Sequence, residues 1–142
     1  MLGVIFSVIA GAAMSFQGVM NTRLGEKAGL LEANTFVQGT AFLLSFLAML
    51  FFGQGNFKAI FETDKLYLLG GALGLVITVT VMLGIKNLSP TIAISVILIA
   101  QLLVAAGVDA FGLLGSEKVA FGLTKYIGIL LMIGGVLVFK WK

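Results

Sequence analysis

The chain has 142 residues, 60% of them apolar and only 11% charged, with no cysteine and no histidine. A soluble domain carries about 25% charged residues, and a mean hydropathy of +1.15 leaves too few polar side chains to cover a water-facing surface. Soluble classes are excluded, and the fold class expected is an all-α integral membrane protein whose solvent is the lipid bilayer.

The missing residue types exclude further chemistry. Without His or Cys the common zinc, haem and iron–sulfur ligand sets cannot form, and neither a Cys nucleophile nor a Ser-His-Asp triad exists. No cofactor and no metal are expected. An intramembrane enzyme is set aside as well, because no paired acids, His or Cys can supply acid–base or covalent catalysis in the bilayer. The formal net charge is +3, but the nine Lys and Arg are scattered singly between apolar blocks. They read as topology signals, so no nucleic-acid partner is expected.

In chain order, residues 1–22, 33–57, 66–85 and 87–108 contain no charged side chain, giving blocks of 22, 25, 20 and 22 residues against the roughly 20 needed to cross a bilayer. The first is too long, and lacks the preceding Lys or Arg, for a cleaved signal. The last block, 126–139, has 14 residues, about 21 Å as a helix. A fifth span must then reach back past Lys125 toward Val119, with the lysine snorkelling. Five transmembrane helices in a single domain, 1–142, are predicted, leaving no soluble domain, linker or low-complexity tail. Tyr67, Tyr126 and Trp141 all fall at predicted span ends, as an aromatic belt requires. Gly53, Gln54, Gly55 and Asn56 read as a turn, and Ser89-Pro90 as a cap followed by a first-turn proline. The short Lys86–Ser89 connection makes spans three and four an antiparallel hairpin.

Five spans place Lys58, Lys65, Lys118 and Lys125 on one side of the membrane and Arg23, Lys27, Lys86, Lys140 and Lys142 on the other. A split of four against five is almost no positive-inside bias. One reading is a weak rule overridden by another feature. The other is insertion both ways, with pairing to an inverted copy or relative, which generates the inverted-repeat symmetry of many alternating-access transporters.

Small residues line several spans: Gly3, Ser7, Gly11 and Ser15 in the first, Gly70, Gly71, Gly74 and Thr78 in the third, Gly128, Gly134 and Gly135 in the fifth. These are helix-packing candidates. Polar stripes are more informative, since each amide needs a partner or a wet cavity. Asn34, Gln38, Ala41 and Ser45 share one face of the second span, Gln17 and Asn21 lie one turn apart in the first, and Gln101, Ala105 and Asp109 align in the fourth. Two readings stay open, interhelical glue and a shared polar cavity in which Gln17, Asn21, Asn34, Gln38 and Gln101 bind solute. Phe16, Phe36 or Phe42 would supply apolar walls. Asp109, about 28 Å along its helix from Pro90, is opposed by the helix dipole and calls for a basic partner or a coupling role. Glu32 opens the second helix, where the dipole favours an acid.

The order Gln17-x-x-x-Asn21-x-x-Leu24-Gly25, Tyr67-Leu-Leu-Gly70-Gly71-x-x-Gly74, Gln101-Leu and Asp109-x-Phe111-Gly112-Leu113 resembles the YdcZ-type family of small bacterial inner-membrane proteins over essentially the whole chain. The ending Tyr126–Val138 is similar to the last helix of many drug/metabolite transporter superfamily members. The resemblance implies a half-size drug/metabolite transporter unit pairing as an antiparallel homodimer, or heterodimer with a paralogue, in the inner membrane. It also implies export of a small molecule. Small multidrug resistance proteins carry a glutamate midway along the first helix, whereas Gly11-Ala-Ala-Met14-Ser-Phe-Gln17 has no acid. The expected solute is therefore small and neutral or amphipathic, and the alternative is a non-transporting membrane subunit or obligate partner of a paralogous half-transporter.

Overall fold

Apolar blocks of bilayer length have one way to satisfy their backbone without water, namely helix. The computed structural model of the chain describes residues 1–119 and 122–141. It contains five α-helices, α1 (Leu2–Ala28), α2 (Leu30–Phe52), α3 (Gly70–Asn87), α4 (Pro90–Phe111) and α5 (Leu123–Lys140), with no strand among the described residues. All five are long and apolar enough to cross a membrane, α3 together with the 3₁₀ segment Lys65–Leu69 leading into it. The helices group into two compact units, Met1–Asn87 and Leu88–Lys142.

The helix ends refine the expected boundaries. α1 continues past Thr22 and carries Arg23, Glu26 and Lys27 in its last turns; Arg23 Nη1 and Glu26 Oε2 pair at 3.0 Å, one turn apart on the exposed surface. Charges at the end of a span emerge from the hydrocarbon and do not interrupt the helix. Gly29 alone joins α1 to α2. Its φ of 104° and ψ of 149° belong to a region open essentially to glycine, and a Cβ there would strike the Glu32 carboxylate. Glu32 does sit in the first turn of α2. Ser89 Oγ accepts from the Ile92 N–H at 3.4 Å with Pro90 in the first turn of α4, as its sequence indicates. α5 begins at Leu123 and not at Val119, with Lys125 in its first turn. Gly122, the residue before it, is extended (ψ 163°). At 18 residues, about 27 Å, α5 falls slightly short of a 30 Å core, a mismatch that snorkelling and local thinning absorb.

In the first unit α1 packs against both α2 and α3, and α2 against α3. Its buried residues cluster on facing turns: Gly18, Asn21 and Thr22 of α1, Ala33 and Asn34 of α2, Met82 and Ile85 of α3. Glycine makes these approaches possible. A Cβ on Gly18 would lie 2.9 Å from Ile85 Cδ1 and 3.1 Å from Val81 Cγ1, and one on Gly25 would strike the Met82 methyl. In the second unit α4 packs against α5. Gly112, in the left-handed conformation (φ 63°), caps α4, and the Val119 N–H donates to the Asp109 carbonyl at 2.9 Å, returning the following segment to the end of that helix.

Candidate functional site

Hydroxyls and amides fare differently on these helices. Ser7, Ser15, Thr22, Thr40, Thr80 and Ser95 each donate to the carbonyl one turn back in their own helix, at 2.7 to 3.0 Å. Such a bond closes within the helix and needs no neighbour. An amide carries two donors and an acceptor and is left with capacity to spare. The polar groups available for other chemistry are therefore the carboxamides.

Four of the five expected site amides lie in the first unit, and three of these are at least half-buried. Asn21 and Asn34 are buried, at 7% and 4% exposure, and Gln38 is half-buried. Gln38 Nε2 donates to Thr78 Oγ1 across α2 and α3 at 3.4 Å, and Thr78 Oγ1 donates to the Gly74 carbonyl at 2.8 Å. Asn34 Oδ1 is buried without a hydrogen-bond partner among the described residues. Gln17 is on the exposed surface of α1, and Gln101 is exposed on α4 in the second unit. Asp109 is half-buried near the end of α4, and no salt bridge to its carboxylate is found among the described residues.

Of the small-residue positions, Gly74 seats a neighbour: a Cβ there would lie 3.7 Å from Gln38 Nε2. At Gly3, Gly11, Gly70, Gly128 and Gly135 a Cβ would meet nothing within 4 Å, and Ser7 and Ser15 turn their hydroxyls back on Gly3 and Gly11. The positions that carry close packing inside the first unit, Gly18 and Gly25, are outside those ladders. Their signal was the spacing Gly18, Thr22, Gly25, at offsets 0, 4 and 7, which follows the helical period better than a strict repeat of four.

A cavity of about 240 Å³ between α1, α2 and α3 is lined by Thr22, Glu26, Gly29, Met82 and Lys86 among others. The sequence did not point to it because Lys86 reads as a topology signal and Glu26 lies in what reads as a loop after the first span. Beside α2, Phe42 and Phe46 stack with centroids 6.1 Å apart. With Ser45, Met49 and Phe57 they border an apolar groove of about 380 Å³. In the second unit Leu103, Gly107, Phe111, Tyr126 and Leu130 border another of about 360 Å³. Among the described residues no group of three or more acids could hold a metal ion.

Five helices long and apolar enough to cross a membrane define a multi-pass membrane protein. The chain belongs to the family described as "Putative inner membrane exporter, YdcZ", whose model it matches over residues 2–138. The match covers nearly the whole sequence, as the resemblance in its motifs implied. No curated protein and no solved structure matches the chain.

Proposed function

We propose that the chain is a half-size transporter subunit that exports a small neutral or amphipathic organic solute by alternating access, working as an antiparallel dimer with a second copy or a paralogue. The observation that carries this reading is the four-to-five division of Lys and Arg across five spans, which gives insertion almost no preferred direction. An inverted pair built from such units has the internal symmetry alternating access uses. The open small-residue faces at Gly3 and Gly11 of α1 and at Gly128 and Gly135 of α5 supply surfaces on which a second chain can approach closely.

Asn21, Asn34 and Gln38, with Gln17, are the proposed solute contacts of the first unit, and Gln101 is the proposed contact of the second. The buried, unpartnered Asn34 Oδ1 favours a ligand that donates a hydrogen bond, because an unsatisfied buried acceptor costs about 1–3 kcal/mol. A neutral site also fits the absence of an acid in the middle of α1, since a permanent cation would find no countercharge to offset its desolvation. The test is a thermal-shift screen of neutral and amphipathic solutes on the purified protein, followed by flux of the stabilising compounds in liposomes. Flux that Asn34→Leu and Gln38→Leu abolish supports the reading. A protein that binds and moves none of them, yet stabilises a co-expressed paralogue, favours the non-transporting alternative.

A further inference from the structure

Residues 53–64 connect α2 to the span beginning at Lys65, so both ends of this segment are held at one face of the bilayer. Its centre is the 3₁₀ turn Phe57–Glu62, capped by Asn56, whose Oδ1 accepts from the Lys58 N–H at 3.0 Å. Phe57, Ile60 and Phe61 are 63%, 40% and 79% exposed. In a 3₁₀ turn residues three apart eclipse. One side is then Phe57 and Ile60, the next Phe61 with Lys58, and the last Ala59 with Glu62. Two sides out of three carry large apolar groups, and a lysine beside Phe61 can run its stem along the apolar surface and keep its ammonium in water.

The position of Phe57 is a second, independent observation. It borders the groove formed by Met49, Phe46, Ser45 and Phe42, and Met49 lies three residues before the end of α2 at Phe52, about 5 Å down the helix. The segment therefore folds back beside α2 and does not stand out into water. We propose that residues 57–61 are an interfacial anchor seated among lipid headgroups and upper acyl chains, with the acyl chains filling the Phe42–Phe46–Met49–Phe57 groove. Amphipathic segments of this kind sit about 5–10 Å into the headgroup boundary. Lys58 and Lys65 are balanced by Glu62 and Asp64, so the seating is driven by apolar burial and is indifferent to lipid charge.

Trp141 is the single tryptophan, which makes the test direct. In a Trp141→Phe background, Phe61→Trp or Glu62→Trp is introduced into the full chain, reconstituted in phosphatidylcholine vesicles with iodide on both faces or with brominated acyl chains. Phe61→Trp should emit to the blue and lose more of its intensity to bromines near the headgroup than to bromines deep in the chain, as seating about 5–10 Å into the boundary requires. Glu62→Trp should instead be quenched by iodide. The bromine quenching should be the same in phosphatidylglycerol and at high salt. Phe57→Trp provides the same reading should Phe61→Trp fail to assemble. Iodide quenching without bromine quenching at both Phe positions would overturn the anchor. Protection from both quenchers, lost on diluting the protein in lipid, would assign the surface to a second copy and overturn it equally.

Discussion

Gln38 reaches across from α2 to Thr78 on α3, Nε2 to Oγ1 3.4 Å, and Thr78 in turn donates to the Gly74 carbonyl at 2.8 Å. The first bond is at the long limit for a hydrogen bond, whereas the second is short and local. Interhelical bonds in membranes average about 0.6 kcal/mol, so the pair holds the helices weakly and leaves the amide oxygen of Gln38 free for other partners.

Separating glue from contact requires removing each partner in turn. Thr78→Val deletes the acceptor while keeping the shape, and should cost under about 1 kcal/mol of stability with solute flux retained. Gln38→Leu should cost no more in stability but reduce solute affinity by up to about a hundredfold, the equivalent of roughly 1–3 kcal/mol. Thermal stability of the assembled protein and flux, measured on both variants, decide the matter. Equal loss of assembly and function in the two would make Gln38 a packing residue.

Asn34 allows the cleanest substitution. Its Oδ1 is buried without a hydrogen-bond partner among the described residues, so Asn34→Leu, which removes the unsatisfied acceptor and keeps the branched shape at a larger volume, should cost little stability while lowering solute binding. A variant as unstable as one that blocks helix packing would contradict the assignment.

Glycines of α1 should divide into two groups. Gly18→Leu forces Ile85 and Val81 aside and should destabilise the first unit by at least about 1–3 kcal/mol. A Cβ at Gly3 or Gly11 meets nothing within 4 Å among the described residues, so Gly3→Leu and Gly11→Leu should leave the monomer fold intact while weakening self-association. Thermal melts paired with cross-linking in membranes distinguish the two effects.

Transport should lack the steep pH dependence of a shared buried acid. The acid on α1 is Glu26, paired with Arg23 at the exposed helix end, and the middle of the helix carries none. Flux in liposomes should stay level across the range in which a buried carboxylate would titrate. Robust proton-driven transport of a quaternary ammonium by the purified protein would contradict this.

Helix number and most boundaries were legible because bilayer thickness fixes the length of an uncharged block, and Ser89-Pro90 and Glu32 carry local capping chemistry. The continuation of α1 through Arg23 to Ala28 was not, since charges mark the end of the hydrocarbon and not of the helix. Gly29 as a one-residue joint was missed for the same reason. In the site, the burial of Asn21 and Asn34 follows from the cost of amides in lipid, whereas the roles of Gly18 and Gly25 depended on which side of α1 meets Met82 and Ile85. Periodicity marks a face but does not name its neighbour. The fifth span began later than length arithmetic required because a short helix can be accommodated by lipid and a side chain's reach.

Antiparallel pairing is the central claim, and topology reporters fused after Lys142 test it most directly. With five spans the fusion point changes side with orientation, so a reporter active only in the cytoplasm and one active only in the periplasm should both give signal from the chain expressed alone. Adding or removing one or two lysines at Lys58 or Lys86 should tilt the ratio strongly. Signal from one reporter alone, unmoved by those changes, would contradict dual insertion and the homodimer built on it.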